Sequence, residues 1–124
     1  MTSVLITNQT RPFPQPLKVA WCASFGSKLR GLMFRPALGA GEGILMVQTS
    51  EDRLNAAIHM FFMQFDIAVI WLDRNLRVVD SRLARRWRPM YAPIRPAKYI
   101  LEIHPSRLQD FGINDQLSTT PCEK

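Results

Sequence analysis

Leu17, Val19, Trp21, Ala23 and Phe25 alternate with Lys18, Ala20, Cys22 and Ser24. A period of two with apolar residues on one side is the mark of a half-buried strand, so the pattern predicts a strand over 17–25. The same period returns at 97–104, where Tyr99, Leu101 and Ile103 oppose Ile100, Glu102 and His104. VLIT at 4–7, ILMVQ at 44–48 and LRVVDSRL at 76–83 are shorter apolar or β-branched runs that read as further strands. INDQLS at 113–118 reads as the last strand. Asp73-Arg74-Asn75 is a turn and predicts a hairpin between the runs that flank it. Helical spacing appears twice. Leu29, Leu32 and Met33 share one face after a capping Ser27, and PSRLQDFG opens on Pro105 and stops at Gly112.

The longest apolar stretch is IHMFFMQFDIAVIWLD at 58–73. A membrane helix needs about 20 apolar residues, and this run is shorter and carries Asp66 in its middle. It divides at Gln64-Phe65-Asp66 into two pieces that read as adjacent core strands. Between the elements, RPFPQP is an extended proline-rich lead, LGAGEG a flexible turn, TSEDRLN a loop or single helical turn, and RRWRPMYAPIRP a loop. Many short strands with turn signals between them predict a mainly β sandwich or barrel with one or two short helices. The expected organisation is an N-terminal strand and proline-rich lead at 1–16, one β domain at 17–118 and a disordered tail at 119–124.

Composition narrows the function classes. A 124-residue chain with 47% hydrophobic and 21% charged residues has the size and balance of one folded domain. Sixteen Lys and Arg against ten Asp and Glu give +6, a balance that draws a surface toward nucleic acid, anionic lipid or phosphorylated ligands. For a charge of this size the plainer reading is a solvated basic surface that keeps the chain soluble. Cys22 and Cys122 form neither a disulfide framework nor a redox pair nor a zinc set. The first residues lack the features of a secretory signal, and the cytoplasm is the default expectation. LGAGEG lacks the Lys-Ser/Thr of a phosphate loop, and the methionines at 33, 46, 60 and 63 are spaced as core filler. No cofactor or metal is expected.

RGLMFRPAL at 30–38, GILMV at 43–47, the 58–73 run, RVVDS at 77–81, AKYILEI at 97–103 and FGINDQL at 111–117 together resemble, in order and spacing, the domain-of-unknown-function family 192. The resemblance implies a compact β-sandwich of jelly-roll type and no established activity. His59 stands where the commonest branch of that family carries Trp. Asp66 stands where it tends to carry Pro, Ala68 where it tends to carry Asp, and Asn114 where it tends to carry Gly. The resemblance also puts Arg35 beside the same core, as a partner for Asp66.

Two sets of residues would carry chemistry. His59 and Asp66 are the ionisable pair within the apolar run, a base and an orienting acid if one cleft holds both. The plainer reading makes His59 a hydrogen-bonded residue at the core's edge and Asp66 a turn residue. Arg82, Arg85, Arg86, Arg88, Arg95 and Lys98 concentrate positive charge around Trp87 and Tyr91. Guanidinium groups beside aromatic rings suit an anionic ligand, and Arg35 joins this set. A nucleic acid would use the same residues, but no nucleic-acid-binding motif accompanies them. The expectation is therefore a non-catalytic binding module for an anionic or polar ligand. A small-molecule enzyme built on His59 and Asp66 and an assembly protein are the alternatives, and the oligomeric state is open.

Overall fold

A computed structural model of the chain describes residues 2–23, 32, 35–60, 62–88 and 90–122. Seven strands run in chain order: β1 Ser3–Asn8, β2 Leu17–Cys22, β3 Glu42–Asp52, β4 Ile67–Leu72, β5 Val78–Ala84, β6 Ala97–Ile103 and β7 Leu117–Pro121. One 3-10 helix, Pro105–Asp110, joins β6 toward β7. The helix expected at 27–33 lies outside the described residues except for Leu32, which is buried.

The strands form one sheet in the order β5-β4-β6-β3-β2-β1-β7. Every pairing is antiparallel except β2 with β3. The sheet curls until its two ends meet at an isolated bridge between Arg77 and Gln116. The Val78 N–H donates to the Asp115 carbonyl and the Leu117 N–H to the Leu76 carbonyl, at 2.9 and 3.0 Å. Closure stops there, so the fold is mainly β without being a closed barrel.

Alternation along the strands sends side chains into two cores. Val4, Leu17, Leu45, Ile70, Val78, Leu101 and Leu117, drawn from all seven strands, meet inside the curl. The opposite face of β2 to β6 offers Cys22, Ile44, Ile100, Val69 and Trp71, and Leu32, Leu38, Ala56, Ile58, Met60 and Met63, from outside the strands, pack against it. β4 is buried on both faces, which explains why IAVIWL is apolar without interruption. Trp71 keeps its indole N–H satisfied by donating to the Ala56 carbonyl at 2.8 Å.

Four boundaries differ from the sequence expectation. β3 continues through Thr49, Ser50 and Glu51 to Asp52, which pairs with Ala97 beyond a register irregularity; partner β6, and not residue type, carries it on. Gly43 belongs to β3 and not to a flexible turn, because a Cβ there would lie 2.5 Å from the Glu102 carbonyl oxygen. β7 reaches Pro121, with Thr119, Thr120 and Pro121 registered against Ile6, Leu5 and Val4, so the edge of β1 orders residues expected to be tail. Only the second half of the 58–73 run is a strand. Residues 58–60 and 62–66 lie outside the sheet, with Phe62 in the left-handed region at φ 63.

Arg107 fastens the 3-10 helix to the sheet's approach. It is buried, its Nε donates to Asp110 at 2.6 Å, and its guanidinium donates to the carbonyls of Gln15, Pro16 and Ala40. The guanidinium carbon also lies 5.0 Å from the centre of the Phe13 ring.

Candidate functional site: a basic and aromatic ribbon

Two segments outside the sheet, described at 53–60 and 62–66 and at 85–88 and 90–94, run antiparallel beside one another. Arg53 Nε donates to the Pro93 carbonyl at 3.0 Å at one end. Ile58 and Tyr91 exchange both backbone hydrogen bonds at 2.8 Å. The Met60 N–H donates to the Arg88 carbonyl, and the Trp87 N–H donates to the Met60 carbonyl. At the other end the Arg86 N–H donates to Asp66 Oδ1 at 2.9 Å, and its guanidinium donates to the Gln64 carbonyl at 3.3 Å.

Burial alternates along this ribbon. Ala56, Ile58, Met60 and Met63 point into the core under it, with half-buried Tyr91 packed against them. The Tyr91 hydroxyl accepts the Arg85 N–H at 2.9 Å and so fixes the end of β5. His59, Phe62, Arg85, Arg86, Trp87, Arg88, Met90, Ile94 and Arg95 are exposed. The Trp87 and Phe62 rings meet nearly edge to face with centroids 5.3 Å apart, and both residues have positive φ. A left-handed backbone at a bulky residue costs of order 1–3 kcal/mol, and here the bonds at Met60, Arg85 and Asp66 hold it in place.

The arrangement sorts the residues read from the sequence. Arg85, Arg86, Trp87, Arg88 and Tyr91 come together on the ribbon, and Arg95 follows within the same loop. Asp66 pairs with Arg86, Nε to Oδ1 at 3.9 Å, and not with Arg35, whose ion pair is with Glu42 at 3.7 Å. The reason is chain geometry: Arg86 follows β5, the hairpin partner of β4, and so lies beside the residue that precedes β4. Asp66 precedes the strand and is half-buried, whereas Ala68 is sealed inside the curl. Arg82 lies along β5 and pairs with Asp80, and Lys98 is half-buried on β6.

A cleft of about 350 Å³ opens beside Asp66, lined by Leu38, Phe65, Arg86 and His104 among others. His59 is not among its lining residues, so the cleft does not unite the two ionisable groups of the apolar run. His104 Nδ1 accepts the Ser106 N–H and caps the 3-10 helix. Two residues earlier on the same face of β6, Glu102 lies between Ile44 of β3 and Val69 of β4. It is only 6% exposed, and burial pushes its carboxyl up to about 7. The alternation at 97–104 set this carboxylate opposite Tyr99, Leu101 and Ile103, and its burial comes from the flanking strands β3 and β4, which the alternation does not reveal. Among the described residues no group of three or more His, Cys, Asp or Glu is placed to hold a metal ion. No helix there is long and apolar enough to cross a membrane.

This curled, mainly β sheet is shared with solved structures. A candidate transcription regulator from Sinorhizobium meliloti superposes with a TM-score of 0.80 at 15% identity, over 95% of this chain and 92% of that one. A protein of unknown function from Novosphingobium aromaticivorans gives 0.77 at 19% identity, over 94% and 83%. The chain belongs to the DUF192 family, described as an uncharacterized ACR, whose model matches residues 5–118. Its relatives include a UPF0127 protein of Thermococcus kodakarensis, 38% identical over 97% of this chain and 76% of that protein. Another, from Thermococcus gammatolerans, is 43% identical over 79% of this chain and 62% of its own length. The chain therefore spans less than two thirds of that second relative.

Proposed function

We propose that the chain is a binding module whose ribbon takes an anionic ligand. One observation carries the reading. Among the described residues Arg85, Arg88 and Arg95 enter no ion pair, although they share a hydrogen-bonded loop with the exposed Trp87. Arginines without carboxylate partners keep their guanidinium forks available for phosphate or carboxylate oxygens, and a fixed loop lowers the ordering cost of binding.

The enzyme alternative finds less support, because Asp66 is occupied in holding Arg86 and lines a cleft that His59 does not. Salt-gradient elution from an immobilised polyanion tests the binding reading. Arg85→Ala/Arg86→Ala/Arg88→Ala is expected to elute at clearly lower salt, because fewer counterions are released. Unchanged elution of the folded triple variant would remove the proposal.

A further inference from the structure

The arginines are half of what the ribbon exposes. Among the described residues eight large apolar side chains are exposed, and five of them belong to the ribbon: Leu54 at 81%, Phe62 at 47%, Trp87 at 55%, Met90 at 64% and Ile94 at 57%. Single exposed apolar residues are ordinary on a protein surface, but a concentrated set marks an interaction face. Cross-links between the two segments hold all five on one ribbon. Arg53 and Pro93 tie the Leu54 and Ile94 end, the Ile58–Tyr91 pair fixes the middle beside Met90, and the Phe62–Trp87 ring contact forms the far end. Because Ala56, Ile58, Met60 and Met63 are buried beneath, the exposed members face away from the sheet.

We infer that this ribbon docks on an anionic lipid surface, with Trp87, Phe62, Met90, Ile94 and Leu54 at the boundary of headgroups and acyl chains and Arg85, Arg86 and Arg88 on the lipid phosphates. The inference rests on the reading of the ribbon as an anion-binding face and names its ligand. The exposed aliphatic side chains decide between polyanions. Leu54, Met90 and Ile94 offer nothing to a phosphate backbone and cannot stack on bases, so a nucleic acid would leave them in water. A membrane surface rewards the whole set: aliphatic side chains enter the acyl boundary, tryptophan prefers the headgroup level, and arginine stems reach outward to phosphate. The net charge of +6 adds attraction to the surface before contact.

Flotation with vesicles tests this, using phosphatidylcholine alone and phosphatidylcholine mixed with phosphatidylglycerol. The chain is expected to float with the mixed vesicles only. Arg85→Ala/Arg86→Ala/Arg88→Ala should weaken binding about a hundredfold, roughly fivefold per arginine. Met90→Ser/Ile94→Ser should weaken it at least about tenfold while leaving elution from the immobilised polyanion unchanged. Trp71 is fully buried and Trp21 half-buried, so the emission change on binding reports chiefly Trp87. Acyl-brominated lipid should quench it, and Trp87→Phe should abolish that quenching. Flotation without quenching means headgroup attraction only and overturns the insertion. Polyanion or oligonucleotide binding without flotation overturns the lipid inference and leaves the anion-binding reading standing. Failure of both removes both. Self-association in light scattering that disappears in Met90→Ser/Ile94→Ser would assign the ribbon to a second copy of the chain and overturn the inference.

Discussion

Asp66 Oδ1 accepts the backbone N–H of Arg86 at 2.9 Å, tying the residue before β4 to the turn after β5. The bond closes the open end of the β4–β5 hairpin and sets where the arginines of the ribbon stand. Asp66→Ala should therefore cost about 1 kcal/mol in urea unfolding, the net worth of one partly exposed hydrogen bond. Asp66→Asn keeps an acceptor oxygen and should recover most of that loss. Equal destabilisation by both changes would mean that the carboxylate charge, and not the backbone bond, is what matters.

Glu102 sets a pH dependence. Its carboxyl sits in a core with burial raising it to about 7, whereas the unfolded chain titrates near 4.5. Between those values the folded state holds a proton that the unfolded state has released. The stability this proton supplies is complete below about pH 4.5 and is lost as pH rises through about 7. The loss is of order 3 kcal/mol. Glu102→Gln keeps the shape without the charge, so its unfolding free energy should stay flat across this window and exceed the parent's at pH 8. A parent whose chemical denaturation midpoint rises with pH across the window would contradict this.

Arg107 is a buried cation whose removal leaves partners behind. Arg107→Ala strands the Asp110 carboxylate and the carbonyls of Gln15, Pro16 and Ala40, and is expected to cost about 3–5 kcal/mol. Arg107→Lys restores the charge but not the planar fork, and should recover less than half. Thermal melts of the two variants beside the parent measure both effects.

Gly43 should tolerate no side chain. A Cβ would lie 2.5 Å from the Glu102 carbonyl oxygen and 2.7 Å from Ile103 Cγ2, and the first of these is backbone that cannot swing away. Gly43→Ala is expected to lose about 2 kcal/mol or more through forced separation of β3 and β6. Gly41→Ala meets only the Pro16 carbonyl oxygen at 3.4 Å and should be nearly silent, which makes it the matched control in denaturant titrations.

Strand positions were legible wherever a residue's own pattern decides them. The alternation at 17–25 appears as β2 at Leu17–Cys22, with 24 and 25 outside the described residues, that at 97–104 as β6 at Ala97–Ile103, and the turn at 73–75 as the β4–β5 hairpin. Asn114 adopts φ 74, the left-handed conformation open to it where the family carries Gly. Elements set by a partner were not legible. Thr49 to Glu51 extend β3 because β6 pairs beyond them, and the first half of the apolar run covers a core instead of joining the sheet. At the candidate site the arginines and Trp87 could be gathered from one loop of sequence. Their neighbours Phe62, Leu54 and Arg53 could not, because nothing local says that 53–62 returns alongside 87–94. Nothing in PSRLQDFG singles out Arg107, since its burial depends on the proline-rich lead some ninety positions earlier.

The pairing of β1 with β7 joins Val4 to Pro121 across nearly the whole chain. During synthesis β1 can pair with β2 at once, yet its other edge must wait for residues 117–121 to leave the ribosome. The curl cannot fill its interior before then, because Leu117 belongs to it. Such distant pairing makes for slow folding and leaves a strand edge open to other chains in the interval. Among the described strands β7 thus completes both the sheet and its core, and a nascent chain stalled just before it would be a form exposed to aggregation.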